Sequence, residues 1–422
     1  MLLSDTSSLD SWLSWQEQCH PIEIDLGLQR VASVYQRLKS NAAKRVFTIT
    51  VGGTNGKGSC VAMLEAILIH AGYQVGVYST PHIQRYNERV RLNGQSVADE
   101  LLTASFHRIN QARTTTSLSY FEFGTLAALD IFAQGEVDVQ ILEVGLGGRL
   151  DAVNIIDADA ALISSIDVDH TAWLGSDKSA IALEKAGIFR ANQKAVCGDK
   201  NVPQSLLDYA RSIDTDLWLA GRDFNYQSQT GSWQIVAVNG CVIDYPLPAL
   251  KGEHQLQNAA AVISLLAHIA ADLPLSKEAV DAGLIAVNLP GRLQQIGAKP
   301  DVFLDVAHNP ESARTLAKFL RTYPRTGRVC AVFSILEDKD LNKVLQPFIG
   351  LIDHWHIAPL TNLRAQTTDV IADNVSHVLN QPYTVYGSIG EAYKGVLASL
   401  DEDDLVICFG SFYVVEACLD AL

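Results

Sequence analysis

Thr50-Val-Gly-Gly-Thr-Asn-Gly-Lys-Gly-Ser59 brings together small residues, hydroxyls and one lysine. Backbone N–H groups without bulky side chains approach an anion closely, a helix N-terminus adds partial positive charge, and Lys57 adds a full one, so the stretch suits a phosphate. It departs from the general pattern G-x-x-x-x-G-K-[ST], with Val51 at the first glycine position and Gly58 where the hydroxyl follows the lysine. A tight turn between strand and helix, with no ligand, is the competing reading.

Other groups could share that chemistry. Tyr78-Ser-Thr-Pro-His82 carries hydroxyls and an imidazole. Glu143 ends the apolar run 137–142, and a buried carboxylate is costly unless a cation or hydrogen bonds satisfy it, which favours magnesium there. Asp167-Val-Asp-His170 closes another apolar run; a lone histidine after a strand is first a hydrogen-bonding group, so His170 gains weight as a ligand only from its neighbours. Phe121-Glu-Phe-Gly124 is either a core aromatic pair or a ligand wall, and Ile24-Asp-Leu-Gly-Leu-Gln-Arg30 either a helix start or a binding loop.

The elements between these groups place them at strand ends. The β-branched and aromatic run 46–51 reads as a buried strand, and Val61, Leu64, Ile67 and Leu68 share one face of the helix after the glycine loop. Residues 73–78, 137–142 and 158–166 read as further strands. Residues 11–15, 31–38, 119–132, 255–271 and 277–287 read as helices, and 225–245 as antiparallel strands about an Asn239-Gly240 hairpin turn. Leu289-Pro-Gly-Arg292 through Lys299-Pro300 reads as a linker. Beyond it, strands near 302–306, 328–335, 354–358, 383–386 and 405–409 alternate with helices, which predicts a second, mostly parallel sheet covered on both faces. Asp305-Val-Ala-His-Asn309 ends its first strand, at the edge where open α/β sheets bind ligands.

At 422 residues the chain is long for one core, and about 150 residues per domain predicts two or three. A net charge of -15 argues against nucleic acid or an anionic membrane as partner, so an anionic substrate must meet local cations. No run of about 18 apolar residues and no basic-then-apolar leader is visible, which predicts a cytoplasmic protein. The seven scattered cysteines, without a C-x-x-C pair, read as reduced thiols and not as a zinc site or disulfide framework.

In order along the chain, Gly53-Thr-Asn-Gly-Lys-Gly-Ser59, Tyr78-Ser-Thr-Pro-His82, Glu143-Val-Gly-Leu-Gly-Gly-Arg-Leu-Asp151, Asp169-His170, Glu184-Lys-Ala-Gly-Ile-Phe189, Leu289-Pro-Gly-Arg292 and Asp305-Val-Ala-His-Asn-Pro310 resemble the folylpolyglutamate synthases and dihydrofolate synthases, relatives of the Mur ligases. The resemblance runs from about Ile24 to the C-terminus, and the length and Ile24-Asp-Leu-Gly-Leu28 resemble the bacterial bifunctional type. It implies an α/β fold: a P-loop, Mur-ligase-like central domain over 1–290, a linker over 291–300, and a smaller Rossmann-like domain over 301–422. Thr54, Asn55, Gly56 and Lys57 would hold the ATP phosphates, with Asn258, Arg292 and Asp305 also contacting ATP. Thr80, Glu143 and His170 would bind magnesium, with Lys185 as a carbamate holding a second ion. Leu26, Gly27, Leu28, Phe121, Glu122, Phe123, Gly124, Leu150, Asp151 and Ala152 would line a pterin site, and His308 would lie near the incoming glutamate. The family usually has serine at Thr80 and threonine at Val153.

The implied reaction joins L-glutamate to 7,8-dihydropteroate and to reduced folates through an acyl phosphate, with Lys57, Lys185 and His308 as its catalytic groups. The family suggests a monomer, and an ATP site between two domains that close on substrate with Arg292 at the hinge. One of the two activities alone, a Mur-type ligase acting on a nucleotide-linked peptide, and a non-catalytic nucleotide switch are the alternatives. The Mur pattern more often has threonines after the lysine, and a switch would leave Glu143, His170 and Lys185 without a shared purpose.

Overall fold

The structure, a computed structural model, describes residues 4, 6–22, 24–38, 45–238, 240–362 and 364–422. The chain divides into two compact units, Met1–Ala249 with Gln255–Val287, and Leu250–His254 with Asn288–Leu422.

The first unit is built on β1 (Phe47–Gly52), β2 (Val75–Tyr78), β3 (Val90–Leu92), β4 (Gln95–Ser96), β5 (Val139–Glu143), β6 (Ala160–Ile163), β7 (Lys194–Cys197) and β8 (Asp216–Leu219), in the order β4-β3-β2-β5-β1-β6-β7-β8. From β2 to β8 in that order the strands are parallel; β3 and β4 extend the β2 edge antiparallel. The central strands are buried along almost their whole length, as near-continuous apolar runs covered on both faces must be. Because β5 lies between β2 and β1, the winding reverses there. The carboxyl ends of β2, β5, β1 and β6 therefore open together onto one crevice.

Helix Lys57–His70 follows the glycine loop as expected, but it is buried nearly all round and not on one face. It is covered by β1, β2 and β5 and by helix Lys277–Ala286, so an apolar residue is favoured at almost every position. A satellite sheet of β9 (Phe224–Gln229), β10 (Ser232–Ala237) and β11 (Val242–Pro246) is antiparallel, with Val236 paired to Val242. In the predicted hairpin turn between them, Asn239 lies outside the described residues.

The second unit carries β12 (Gln294–Ala298), β13 (Asp301–Leu304), β14 (Val329–Phe333), β15 (His354–Ile357), β16 (Tyr383–Val385) and β17 (Leu405–Phe409), in the order β12-β13-β17-β14-β15-β16. All neighbours are parallel except β12. Half of the expected linker over 291–300 is instead β12, an edge strand paired to β13. Ile296 is the only β-branched residue of that strand, among Gln294, Gln295, Gly297 and Ala298, which is why composition reads it as a loop. All seven cysteines are free thiols, and no described helix is long and apolar enough to cross a membrane.

Candidate active site

The glycine loop leaves β1 with Gly53 at φ 143°, where any Cβ would collide with the Ser164 hydroxyl after β6. Gly56, at φ 85°, caps helix Lys57–His70, and a Cβ there would stand 2.5 Å from Asn258 Oδ1. Both positions require glycine for backbone shape and for space. The loop is laced to the end of β6. The N–H of Thr54 donates to the Ser165 carbonyl at 2.8 Å, that of Asn55 to Ser165 Oγ at 3.1 Å, and Ser164 Oγ donates to the Asn55 carbonyl at 2.6 Å. Thr54 Oγ1 both donates to the Asp167 carbonyl and accepts from the Asp167 N–H, each at 3.0 Å. Its hydroxyl therefore braces the loop.

Lys57 Nζ donates to the carbonyls of Gly53 and Thr54, both at 3.0 Å. Lys185, buried near the end of helix Lys178–Ala186, donates to the same Gly53 carbonyl at 2.9 Å. The two lysines line one cavity with Gly53, Asp167, Asp169 and His170. His170 sits at φ 51° as the cap of the short helix Thr171–Leu174. Thr80 and Glu143 meet at the adjacent ends of β2 and β5, the Thr80 N–H donating to Glu143 Oε2 at 3.3 Å. Glu143 is buried, and among the described residues no three His, Cys, Asp or Glu side chains converge as a metal cluster.

Of the residues expected to line a pterin site, Phe121 is half-buried against Gly145, and Leu26, Gly27 and Leu28 form a half-buried loop before helix Gln29–Leu38. Phe123 faces the other way: it is fully buried between Trp15 and Phe106, with ring centroids 5.7 and 6.3 Å away, so the core reading describes its side chain. Glu122 has both oxygens engaged, one accepting the Ser119 N–H at 2.8 Å, the other the Arg30 guanidinium at 3.2 Å. Arg30 also pairs with Asp25 at 2.7 Å, which ties the 24–28 loop to the N-terminus of helix Tyr120–Gln134. A Cβ at Gly124 would press on the buried Tyr78 and Tyr86 hydroxyls, at 2.7 and 2.8 Å. Leu150 is half-buried and Ala152 buried. Asp151 accepts N–H groups from Gly145, Leu146 and Val153 at 2.9, 2.8 and 3.0 Å, yet burial outweighs them and pushes its carboxyl up to about 6. The Val153 side chain packs in the core, and its N–H, not a hydroxyl, makes the polar contact.

In the second unit, Asp305 follows β13 and accepts the N–H groups of Leu293 at 2.9 Å and Ala307 at 2.8 Å. Burial raises its carboxyl above the usual value against the pull of Arg292. The Arg292 guanidinium lies 5.4 Å over the Phe412 ring, whose other neighbour is the His308 imidazole, 6.2 Å away. His308 Nδ1 is 2.7 Å from the Val306 carbonyl and must carry the proton in that contact, which leaves Nε2 as the basic nitrogen of the neutral ring.

The family model for the Mur ligase middle domain matches residues 51–266, and that for the Mur ligase glutamate ligase domain residues 291–412. The dihydrofolate synthase/folylpolyglutamate synthase of Escherichia coli K12 is 41% identical over 99% of this chain and 96% of its own length. The chain belongs to this family of Mur ligases. Escherichia coli FolC in complex with DHPP and ADP superimposes with a TM-score of 0.93 at 41% identity, covering 99% of this chain and 98% of that one. A bifunctional folylpolyglutamate synthase/dihydrofolate synthase with Mn, AMPPNP and L-glutamate bound gives 0.91 at 40% identity, covering 100% and 99%.

As a Mur ligase of this family the chain is an ATP-dependent acid–amino-acid ligase, and the second of these solved structures holds Mn. This chain's residues fit such an ion: Thr80, whose N–H meets the buried Glu143 carboxylate at two strand ends, adds a hydroxyl, and both groups are the hard oxygen donors that magnesium or manganese takes. Sequence reasoning missed the residues that support this ligase's site: Ser164 and Ser165 under the loop, Gln255, whose Oε1 takes Asn258 Nδ2 at 3.0 Å, and Arg89, whose Nη1 donates to Thr80 Oγ1 at 3.2 Å. The first two were visible as Ser164-Ser165 directly after an apolar run, and the others carry no periodic signal.

Proposed function

We propose that this ligase joins L-glutamate to 7,8-dihydropteroate, giving dihydrofolate, and to reduced folates, giving folylpolyglutamates, with ATP as co-substrate. The observation that carries the reading is the convergence of Lys57 and Lys185 on the Gly53 carbonyl at the mouth of a glycine loop. Relatives that match along the whole chain are named for both activities.

The acceptor carboxylate attacks the γ-phosphorus of ATP, ADP leaves, and the acyl phosphate is attacked at its carbonyl carbon by the glutamate amine. Phosphate departs and the amine gives up a proton. Lys57 neutralises the γ-phosphate as it is transferred, and Thr54, Asn55 and Gly56 shape the loop around it, the first two with their N–H groups tied to Ser165. His308 accepts the amine proton through Nε2, the ring nitrogen that the Val306 carbonyl leaves basic. Asn258, whose Nδ2 donates to Gln255 Oε1, contacts ATP together with Arg292 and Asp305. Leu26 to Leu28, Phe121, Gly124 and the Leu150 to Ala152 turn line the pterin site, with Glu122 and Phe123 supporting it from behind. Thr80, Glu143 and His170 would hold one magnesium ion and a Lys185 carbamate a second, and these would supply charge neutralisation when bound. The same reading makes the protein a cytoplasmic monomer without nucleic-acid or membrane partners.

Phosphate release from ATP with magnesium and L-glutamate should depend on an acceptor, and it should occur with dihydropteroate and with a reduced folate, each product gaining one glutamate by mass. Turnover with one acceptor alone narrows the function to that activity, and turnover with neither removes the pterin site. Asp151 gives a pH dependence. As pH falls through about 6 its carboxylate is protonated and an acceptor oxygen is lost. kcat/KM for dihydropteroate should then fall about tenfold per pH unit, a limb absent in Asp151→Asn. For stability the sign is opposite. The native carboxyl holds its proton to higher pH than in the unfolded chain, so its contribution is complete below about pH 4 and is lost as pH rises through about 6.

A further inference from the structure

Antiparallel pairing sets Tyr78 on β2 opposite Val90 on β3, so Ser79, the next residue, meets Arg89, and its N–H donates to the Arg89 carbonyl at 2.9 Å. Arg89, the last residue of the 3-10 turn Tyr86–Arg89, and Arg91, on β3, both reach into the 79–82 loop. Arg91 Nη1 donates to Ser79 Oγ at 2.9 Å and to the Glu88 carbonyl at 3.0 Å. Its other nitrogens grip Glu65, Nε at 3.1 and 3.0 Å and Nη2 at 2.7 Å. Glu65 stands two turns along the helix that begins at Lys57, and the pair is largely buried. Arg89 Nη1 donates to Thr80 Oγ1 at 3.2 Å and Nε to His82 Nδ1 at 2.7 Å, while its guanidinium lies 5.4 Å over the Tyr86 ring and 5.5 Å over that of Tyr120. The Glu88 carboxylate closes the loop, accepting the N–H groups of Ile83, Gln84 and Arg85 at 2.8, 3.0 and 2.7 Å.

We propose that Arg89 and Arg91 are positioning residues that fix the Thr80 hydroxyl relative to the helix of Lys57, so that metal and phosphate meet at a set distance. The proposal rests on the reading of Thr80 as a metal ligand. A guanidinium is a rigid fork, and one that bridges two acceptors fixes the distance between them as a flexible ammonium does not. Arg91 bridges the Lys57 helix to Ser79, and Arg89 bridges Thr80 to His82. The loop between β2 and Tyr86, with no secondary structure of its own, thereby inherits the rigidity of β3 and of the helix.

The test is the affinity of the full-length protein for Mn2+ in the presence of AMPPNP, read from the electron paramagnetic resonance signal of free Mn2+. Dihydropteroate affinity and melting temperature are followed in parallel. Ser79→Ala and Arg89→Lys should each weaken Mn2+ by about threefold to tenfold, the size of one ordinary net hydrogen bond. Dihydropteroate affinity should stay as in the parent, and Ser79→Thr, which keeps the hydroxyl, should restore Mn2+. If Thr80→Ala weakens Mn2+ while Ser79→Ala and Arg89→Lys bind it as the parent does, the clamp has no positioning role. If Thr80→Ala itself leaves Mn2+ affinity unchanged, the ligand reading falls and the proposal with it. A joint loss of Mn2+ and dihydropteroate affinity with a lower melting temperature in Ser79→Ala would also overturn it, as a general structural effect. Should Arg89→Lys fail to fold, Ser79→Ala, which removes a single hydroxyl, decides.

Discussion

Lys57→Ala should lower acceptor-dependent ADP formation by about three orders of magnitude, the effect of removing one fixed cation from a phosphoryl-transfer site. Lys57 is seated by two loop carbonyls at 3.0 Å, so its Nζ is ordered before any phosphate arrives, and water admitted by alanine cannot reproduce that charge. The fold should survive, because the side chain is only half-buried and its partners are carbonyls at a cavity wall that water can satisfy. Lys57→Arg keeps the charge but not the compact head that fits between those carbonyls, and it should recover little. Unaltered ADP formation by Lys57→Ala, with circular dichroism and melting temperature unchanged, would exclude the loop as the phosphate site.

Lys185→Ala should cost a comparable factor, and small carboxylic acids should partly repair it. Two ammonium groups on one carbonyl repel each other, whereas a carbamate leaves an N–H for Gly53 and turns the repulsion into attraction between anion and Lys57. Acetate or propionate in the space left by the side chain would return the anion. Ethylamine would return the cation. Rescue by the acids therefore identifies the carbamate as the working form, rescue by the amine identifies the free lysine, and a fully active Lys185→Ala removes the residue from the mechanism.

The glycine loop and the strand ends were legible because few residues satisfy their constraints: Gly53 and Gly56 need both a left-handed backbone and an empty Cβ position, and no apolar pattern imitates that. Glu143 was legible because a carboxylate closing a buried strand demands a reason. The direction of individual side chains was not. Phe121 and Phe123 are equivalent in composition, but the helix turns one towards Gly145 and the other into the Trp15–Phe106 core. Thr54 and Glu122 are polar residues in the right neighbourhoods whose polar atoms are engaged by main chain and by Arg30, a fact that only the partner's position reveals. Arg89 and Arg91 escaped for the same reason: at the end of a short 3-10 turn and on a three-residue strand, arginines read as solvent-facing until the register brings Ser79 and Thr80 to them.

The second unit does not start where its own strands start. It includes Leu250–His254, whose His254 imidazole is driven down to about 4 by burial and by Arg292, and the chain then returns to the first unit until Val287. A gene fragment beginning at residue 288 would leave that pentapeptide behind, with the Lys251 ammonium that lies 5.3 Å over Phe303 and the Glu253 carboxylate that pairs with Lys318. The two units cannot be exchanged between homologous genes by a single crossover, nor parted by a single proteolytic nick. A recombinant that swaps only 288–422 would inherit its Arg292 partner from a different parent.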